Sequence, residues 1–366
     1  MYICLRREPQ LRFKEFNDKW EEKKLGDIVS SSSSNLSINT LEDNSGDYPL
    51  YGATGFIKNV DFYQKKEKYI SIVKDGAGVG RTILCPPFSS ILGTLQYLNI
   101  KNNNNIDFIY FFLKKLNFNK YIVGSTIPHI YFKDYSKEKL NIPSLGEQEK
   151  IANFLCLVDK KIELLEKTLK LLKTYKKGIM QQIFNQKLRF KNENGAGYPE
   201  WGEKKLRDIV SSSSSNLSIN TLEDNSGDYP LYGATGFIKN VDFYQKKEKY
   251  ISIVKDGAGV GRTILCPPFS SILGTLQYLN IKNNNNIDFI YFFLKKLNFN
   301  KYIVGSTIPH IYFKDYSKEK LNTPSLEEQE KIANFLSKID EKIEKTAKVL
   351  EENKEFKKGL LQKILY

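Results

Sequence analysis

Hydrophobic residues in the middle of the chain recur alternately every four and three positions, the heptad pattern of a helix with one apolar seam. Ser144 and Glu147 precede the pattern in the arrangement of a capping box, in which each side chain bonds the backbone N–H of the other residue. The pattern predicts a helix within 144–187 that reaches position 184, roughly 60 Å at 1.5 Å per residue. Its seam consists of Ile151, Leu155, Val158, Ile162, Leu165, Leu169 and Leu172.

A second heptad pattern occupies the end of the chain, 325–366, and begins with an equivalent Ser325 and Glu328. Thr346 and Asn353 interrupt this seam, and a polar seam residue can fix the register of a coiled coil at some cost in stability. We expect the two helices to pair antiparallel as a coiled coil. The second set of pairing residues consists of Ile332, Leu336, Ile339, Ile343 and Leu350.

The second half of the chain repeats the first half. A shift of 181 positions carries Trp20 onto Trp201, and from 27 to 155 it changes only Ile142, which becomes Thr323, and Gly146, which becomes Glu327. A period of this length indicates a duplicated domain rather than a solenoid repeat. Every surface that one copy forms should therefore occur twice.

The part of each copy before its helix is predicted to be a globular mixed α/β (α+β) domain. Strand-like runs at 69–74, 81–85 and 94–100 are separated by Gly, Pro and Asp, which favour turns. A helix is expected at 108–116 with Asp107 as its N-cap, and the five serines from 30 to 34 are expected to form a loop. The predicted layout is a lead-in (1–19), first domain (20–143), first helix (144–187), linker (188–200), second domain (201–324) and second helix (325–366).

Composition narrows the class of protein. The chain has 366 residues, of which 40% are hydrophobic and 13% aromatic, so it can form folded cores. Its net charge of +14 favours an acidic partner such as nucleic acid. The apolar runs are too short for a signal peptide or a membrane span, so we expect a cytoplasmic protein without a membrane partner.

Candidate catalytic and metal-binding motifs are weak. The glycines at 76, 78 and 80 lack the spacing and the lysine of a phosphate-binding loop, so a tight turn is the better interpretation. Cys85-Pro-Pro-Phe88 lacks the polar first residue that an amino-methyltransferase needs to bind its target amino group. Cys4, Cys85, Cys156 and Cys266 form no Cys-x-x-Cys pair and are expected to be buried thiols. We expect no catalytic residue and no metal site in this chain.

The order of short motifs in both copies resembles the specificity (S) subunit of type I restriction–modification enzymes. The block at 20–28 is similar to the entry of a target recognition domain, and 142–155 is similar to the start of the family's spacer helix. The segments that resemble internal blocks of the recognition domain and the ends of the helices lie at 51–57, 73–80, 124–130, 176–184 and 357–365. The resemblance covers nearly the whole chain.

This resemblance implies a non-catalytic subunit whose two target recognition domains each read one half of a bipartite site in double-stranded DNA. It also implies that the helices set the spacing between the halves and bind two methyltransferase (M) subunits, which restriction (R) subunits can join. No cofactor is expected in this chain, because S-adenosylmethionine would belong to the methyltransferase. Near-identical domains should read identical half-sites on opposite strands, so the expected target is an interrupted palindrome.

Loop residues with cationic, hydroxyl or imidazole side chains are the candidates for contact with DNA. Arg81 and Arg262 stand out because arginine can bind a guanine edge with two hydrogen bonds, whereas His129 either contacts DNA or satisfies a local hydrogen bond. The candidates are Lys58, Lys74, Arg81, Ser125, Thr126, His129 and Lys133, with Lys239, Lys255, Arg262, Ser306, Thr307, His310 and Lys314 in the second copy.

Two alternatives remain open. The chain is either a specificity subunit or a stand-alone duplicated DNA-binding scaffold without a methyltransferase partner. A self-contained methyltransferase is disfavoured, because no glycine-rich motif for S-adenosylmethionine accompanies Cys85-Pro-Pro-Phe88.

Overall fold

The two copies fold into the same succession of elements. The computed structural model describes residues 9–222 and 224–365. Cys4 and the first eight positions of the predicted lead-in lie outside the described residues. The first copy contains β1 (Glu21–Lys24), α1 (Leu25–Ile28), β2 (Val29–Ser33), β3 (Tyr48–Gly52), β4 (Gly55–Val60), β5 (Tyr69–Val73), β6 (Thr82–Cys85), β7 (Ser90–Ile91), β8 (Leu95–Ile100), α2 (Ile106–Lys115), α3 (Phe132–Tyr135), β9 (Lys139–Ile142) and α4 (Leu145–Phe184).

The second copy repeats this order. Its elements are β10 (Gly202–Lys205), α5 (Leu206–Ile209), β11 (Val210–Ser214), β12 (Tyr229–Gly233), β13 (Gly236–Val241), β14 (Tyr250–Val254), β15 (Thr263–Cys266), β16 (Ser271–Ile272), β17 (Leu276–Ile281), α6 (Ile287–Lys296), α7 (Phe313–Tyr316), β18 (Lys320–Thr323) and α8 (Leu326–Ile364). No helix within the described residues is both long and apolar enough to span a membrane.

Three small sheets form the globular part of each copy. In the first copy the order β2-β8-β5-β6 gives an antiparallel sheet, β4-β3-β7 gives a mixed sheet, and β1 pairs with β9. Strand β5 is buried along its whole length, and the phenylalanines of α2 share a core with it. The prediction of duplicated mixed α/β domains with long helices is confirmed.

The serine run at 30–34 is mostly a strand, so the predicted loop is wrong. Residues 30–33 belong to β2, which pairs with β8 from Ser30 opposite Asn99 to Ser33 opposite Gln96. Asn99 Nδ2 also donates to Ser32 Oγ at 3.1 Å. Serine has little preference for strands, but pairing with a neighbouring strand overrides this weak local preference.

The N-cap of α2 also differs from the prediction. Asn105, not Asp107, occupies the cap, and its side-chain oxygen accepts from Phe108 N at 3.0 Å. Asp107 lies in the first turn, where its carboxylate forms an ion pair with Lys68 at 2.7 Å. Asparagine is a good N-cap residue, and it comes two positions before Asp107, so the helix begins earlier.

The chain divides into two compact units. Unit 1 contains Met1–Glu166 and Lys348–Tyr366, and unit 2 contains Lys167–Ala347. Each unit thus combines one globular domain with the beginning of its own helix and the end of the other helix.

Within each unit the two helix segments run antiparallel. In unit 1, Lys354 forms an ion pair with Glu166 at 2.7 Å, and Lys357 forms one with Asp159. In unit 2, Lys176 forms the equivalent ion pair with Asp340.

The residues named for helix pairing are buried mainly near the start of each helix. Ile151, Leu155 and Val158 lie in the core of unit 1, together with Leu360 and Ile364, whereas Ile162, Leu165, Leu169 and Leu172 are half-buried. The second set follows the same trend: Ile332, Leu336 and Ile339 are buried in unit 2, Ile343 packs at the edge of that core, and Leu350 is buried in unit 1.

A carboxylate at the start of each helix attaches the globular domain. Glu147 is only 1% exposed, and it accepts from Trp20 Nε1 at 3.2 Å and from Arg12 Nε at 2.7 Å. Glu328 accepts in the same way from Trp201 Nε1 at 2.9 Å and from Arg189. Both glutamates were predicted to complete capping boxes. Ser325 Oγ does accept from Glu328 N at 3.4 Å, but the carboxylates of both glutamates serve as anchors for the tryptophans.

The arginines of these anchors reveal a repeat that the shift of 181 does not find. Leu-Arg-Phe-Lys occurs at 11–14 and again at 188–191, a shift of 177, because the second segment reaches its tryptophan over four additional residues. Leu11 N donates to Lys363 O at 3.0 Å, and Leu188 N donates to Gln182 O at 3.2 Å. The lead-in from Leu11 onward therefore lies beside the end of α8, although it comes first in the chain. The linker lies beside the end of α4 in the same way, and there it directly follows the helix in sequence.

Candidate nucleic-acid interface

A glycine-rich turn between β5 and β6 forms the centre of the candidate surface. Gly80 N donates to Val73 O at 2.8 Å, and Val73 N donates to Arg81 O at 2.9 Å, which closes the turn. Gly76, Gly78 and Gly80 have φ values of 81°, 87° and 85°, a region that side chains other than glycine rarely adopt. The pattern of three glycines therefore serves a tight turn, as the sequence predicts.

The loop that contains Ser125 and Thr126 packs against this turn. Gly76 N donates to Pro128 O at 2.8 Å, and Ile130 N donates to Lys74 O at 3.0 Å. The base of the loop is closed by reciprocal backbone bonds between residues 123 and 129, of 2.9 and 2.8 Å. Its exposed tip, 125–127, therefore projects from a base held by backbone hydrogen bonds.

Arg81 connects the same turn to the β3–β4 hairpin. Its Nη1 donates to Ala53 O at 2.8 Å, and the guanidinium lies so close to Gly78 that a Cβ there would be 3.3 Å from it. Arg262 donates to Ala234 O at 2.7 Å in the second copy. A guanidinium has five N–H donors, so an exposed arginine can hold the hairpin and still present donors to a ligand.

Most of the candidates of the first copy belong to this assembly. Lys74, Arg81 and His129 take part in the bonds just described, and Ser125 and Thr126 lie at the exposed tip of the loop that these bonds hold. His129 Nδ1 lies 3.1 Å from Ile127 O, which matches the local hydrogen-bond alternative and leaves a DNA contact untested.

Two lysines have contacts of their own. Lys133 Nζ lies 5.3 Å from the centre of the Tyr131 ring, and that ring packs on His129 at 5.1 Å. Lys58 is turned toward a 3₁₀ turn, Asn39–Leu41, and donates to Leu41 O at 2.8 Å. This bond gives Lys58 a structural role in its own domain.

The second copy builds the same surface from equivalent residues. Lys255, Arg262, Ser306, Thr307 and His310 occupy the glycine turn and its neighbouring loop, and Gly257 N donates to Pro309 O at 2.8 Å. Lys314 lies 5.3 Å from the Tyr312 ring, and Lys239 donates to Leu222 O at 2.8 Å. Whatever the first surface binds, the second is equipped to bind in the same way.

Comparison with known sequences assigns the family. A family model described as "type I restriction modification DNA specificity domain" matches the chain twice, over residues 17–174 and 198–353. These two matches cover most of the chain. This chain belongs to the type I restriction–modification DNA specificity family. The recognition made from the sequence motifs is thereby confirmed.

Individual relatives agree over the full length. The chain is 24% identical to the type I restriction enzyme MjaVIII specificity subunit of Methanocaldococcus jannaschii, and the match covers 100% of this chain and 97% of the relative. The crystal structure of a type I restriction–modification S subunit from M. genitalium superposes with a TM-score of 0.77 at 19% identity, covering 98% of this chain and 99% of the other. That structure supports the fold of this family member.

The sequence patterns did not indicate two apolar side chains that are exposed beside the polar candidates of this surface. Phe56 on β4 is 57% exposed, and Ile127 at the loop tip is 63% exposed. Exposed apolar groups of this kind can contact thymine methyl groups or wedge between bases. Only the fold reveals their exposure, because an isolated Phe or Ile in a sequence is more often part of a core.

The cysteine of Cys85-Pro-Pro-Phe88 is a core residue. Cys85 and Cys266 are fully buried, as predicted, and each sulfur lies 3.4 Å from a serine hydroxyl, that of Ser71 or Ser252. Burial raises the pKa of the Cys266 thiol to about 11 and that of Cys85 in the same direction. Both thiols are therefore protonated near neutral pH. Cys156, in α4, is only half-buried, so the prediction of a buried thiol is wrong for this residue.

Proposed function

We propose that this chain is the DNA-reading subunit of a type I restriction–modification complex and carries out no chemistry itself. The observation that carries the proposal is one loop surface, built twice from identical residues, on domains attached to long helices. Methyl transfer would occur on two methyltransferase subunits, which would hold the S-adenosylmethionine. Restriction subunits would join the complex for cleavage.

The loop surface suits the reading of double-stranded DNA. Lys74 and Lys133 offer cations for phosphates, Ser125 and Thr126 offer hydroxyls for phosphates or base edges, and Arg81 offers paired donors for guanine. The glycine turn lets backbone approach the duplex closely. Since phosphate contacts release counterions, binding should weaken steeply with added salt.

Identical surfaces should read identical half-sites. If each copy reads one half on opposite strands, the target is an interrupted palindrome, as for dimeric repressors and their operators. The relation of the MjaVIII relative to a type I restriction enzyme, stated in its name, supports the assignment to such a complex.

Modified-base mapping tests the proposal. Cells that express this chain with its cognate methyltransferase subunit should contain methylated adenine in one interrupted palindrome, as read by single-molecule sequencing. The control is the same methyltransferase expressed without this chain, which should leave the motif unmodified. An asymmetric bipartite motif would contradict identical reading by the two copies.

The remaining outcome separates the alternatives. Failure of this chain to form a stable complex with the methyltransferase, with DNA binding retained, would favour a stand-alone scaffold over a specificity subunit. S-adenosylmethionine binding by the purified chain alone, measured by calorimetry, would contradict the non-catalytic assignment.

A further inference from the structure

An isoleucine stands at the tip of the loop that borders the glycine turn. Ile127 is 63% exposed, and the equivalent Ile308 is 64% exposed, so both side chains lie mostly outside the core of their own domain. In the first copy the isoleucine directly follows the hydroxyl residues Ser125 and Thr126. Single exposed apolar side chains are common on protein surfaces, so exposure alone assigns no role to this one. Its role depends on how the loop holds it.

The backbone around Ile127 is fixed by local hydrogen bonds and by a proline. The carbonyl oxygen of Ile127 lies 3.1 Å from His129 Nδ1, and reciprocal backbone bonds between residues 123 and 129 close the loop. Pro128 follows directly and restricts the residue before it to extended conformations. Isoleucine is branched at Cβ, so its side chain has few rotamers. The methyl groups of Ile127 are therefore presented in a nearly fixed position, which lowers the entropy lost when a ligand binds.

A glycine in each copy makes this close turn possible. Gly124 has a φ of 88°, and a Cβ added to it would lie 2.5 Å from the carbonyl oxygen of Ile127. Gly305 has the same φ of 88°, and a Cβ there would lie 2.6 Å from the carbonyl oxygen of Ile308. Any other residue would push the isoleucine backbone away, so the turn and the display of the isoleucine depend on each other.

The isoleucine and the candidate guanine reader belong to one assembly. Pro128 O, next to Ile127, accepts from Gly76 N at 2.8 Å, and a Cβ on Gly78 of the same turn would lie 3.3 Å from the guanidinium of Arg81. Guanine presents its N7 and O6 acceptors in the major groove, and thymine presents its C5-methyl group in the same groove. A surface that carries both arginine donors and a fixed apolar group matches these two features.

The position of Arg81 also decides which groove the isoleucine would face. Apolar side chains that wedge between bases enter from the minor groove, where thymine shows no methyl group. If Arg81 binds a guanine edge with two hydrogen bonds, the surface faces the major groove. Ile127 is held beside Arg81 by backbone bonds, so it would face the same groove and meet thymine methyl groups there.

We propose that Ile127 and Ile308 each read a thymine of their half-site through its C5-methyl group. This inference rests on the proposed function. It adds a chemical property of the target, namely that each half-site contains a thymine whose methyl group contributes to binding. It also assigns a role in specificity to an apolar residue of the loop tip.

Replacement of thymine by uracil provides the test, because uracil lacks the C5-methyl group but pairs with adenine as thymine does. Synthetic duplexes carry the motif that modified-base mapping identifies, and each of its thymines is replaced in turn. Their binding to the complex of the full-length chain with its cognate methyltransferase is measured by fluorescence anisotropy.

The variants remove the isoleucine or a neighbouring apolar side chain. Ile127→Ala with Ile308→Ala removes both proposed readers. Val123→Ala with Val304→Ala is the matched control, because these valines are each 45% exposed at the base of the same loops. All four positions are exposed, and circular dichroism checks that the variants fold.

With the original chain, uracil at one thymine position should weaken binding by about threefold to tenfold for each substituted half-site. In the isoleucine-to-alanine variant, binding to the thymine duplex should be weaker, and the difference between thymine and uracil should disappear. The valine-to-alanine control should keep the full difference. Ile127→Val with Ile308→Val should keep part of it, because valine retains a branched apolar side chain.

Other results would overturn the inference. A uracil effect that is unchanged in the isoleucine-to-alanine variant would assign the methyl contact to another residue. Selective binding without any uracil effect would exclude methyl reading and leave the proposed function standing; if the isoleucine-to-alanine variant also lost binding, the side chain would act as a wedge instead. The absence of both selective binding and a methylated motif would remove the proposed function as well.

Discussion

At the scale of single residues, the near-perfect repeat supplies matched pairs in which one side chain differs and its surroundings do not. Ile142 and Thr323 occupy the ends of equivalent strands, β9 and β18, and both are buried. Within the described residues, Thr323 Oγ1 is a buried side-chain atom without a hydrogen-bond partner. An unpaired buried hydroxyl costs about 1–3 kcal/mol, so the second copy carries a local defect that the first lacks.

Thr323→Ile should therefore stabilise unit 2. We expect its free energy of unfolding to rise by about 1–2 kcal/mol, because the change removes an unpaired hydroxyl and restores an apolar side chain that the first copy already accommodates. Urea titration combined with hydrogen exchange, which resolves the two units, measures the effect. Ile142→Thr is the reciprocal control and should destabilise unit 1 by a similar amount; a loss of stability in Thr323→Ile would contradict this account.

Arg81 and Arg262 combine a structural bond with a predicted role in reading DNA. Replacing both by alanine should abolish site-selective binding, since each lost guanine contact costs about 1–3 kcal/mol of discrimination. Competition binding between specific and unrelated duplexes measures this selectivity. Because Nη1 also holds the hairpin, Arg81→Lys with Arg262→Lys is the informative control: it keeps the charge but lacks the planar fork. Selectivity that survives both pairs of changes would exclude these arginines from base reading.

At the scale of elements, local sequence patterns predicted the helices better than the strands and loops. The heptads of α4 and α8 are visible because their spacing is regular over many turns. The serines of β2 have no such pattern, and their structure depends on pairing with β8, about 66 positions away in the sequence. The contacts that assemble the candidate surface, such as Gly76 to Pro128, also join residues far apart in the sequence, so the sequence suggested the residues of this surface but not their arrangement.

The hydrogen bonds of Glu147 to Trp20 and Arg12, at the start of α4, can be tested through their effect on stability. Glu147→Ala leaves the Trp20 indole N–H and the Arg12 guanidinium without their buried acceptor at the junction of the domain and α4. We expect a loss of about 2–4 kcal/mol, below the full value for a buried pair because the Arg12 side chain retains some contact with solvent. Thermal and urea unfolding measure the loss.

The exposed Glu149, two positions further along the same helix, is the control for the Glu147 change. Glu149→Ala should change the free energy of unfolding by less than about 0.5 kcal/mol. Equal effects of the two changes would show that the anchor does not stabilise the junction.

At the scale of the whole molecule, duplication is the property that the sequence established most directly, since it needs only a comparison of the chain with itself. The antiparallel pairing of the helices was expected. The sequence layout kept each helix whole, whereas each compact unit contains parts of both helices. This division was not expected, because heptads predict that helices pair but not which helix segments share a domain core. A comparison at a constant shift of 181 does not align the two Leu-Arg-Phe-Lys sequences, because the segments that connect them to Trp20 and Trp201 differ in length.

A change in one copy alone tests whether the two surfaces act as equal and separate readers. Ser125→Ala with Thr126→Ala alters only the first surface, and Ser306→Ala with Thr307→Ala alters only the second. Under the proposed function, either pair should relax one half of the methylated motif and leave the other half intact, because each half is read by its own copy.

The two variants should also yield the same relaxed motif. An interrupted palindrome reads identically from both strands, so exchanging the altered half merely reverses the site. Modified-base sequencing from cells with the cognate methyltransferase measures both motifs, and the unaltered chain supplies the reference. If one pair leaves the motif unchanged while the other removes it, the copies do not contribute equally, even though their loops are the same.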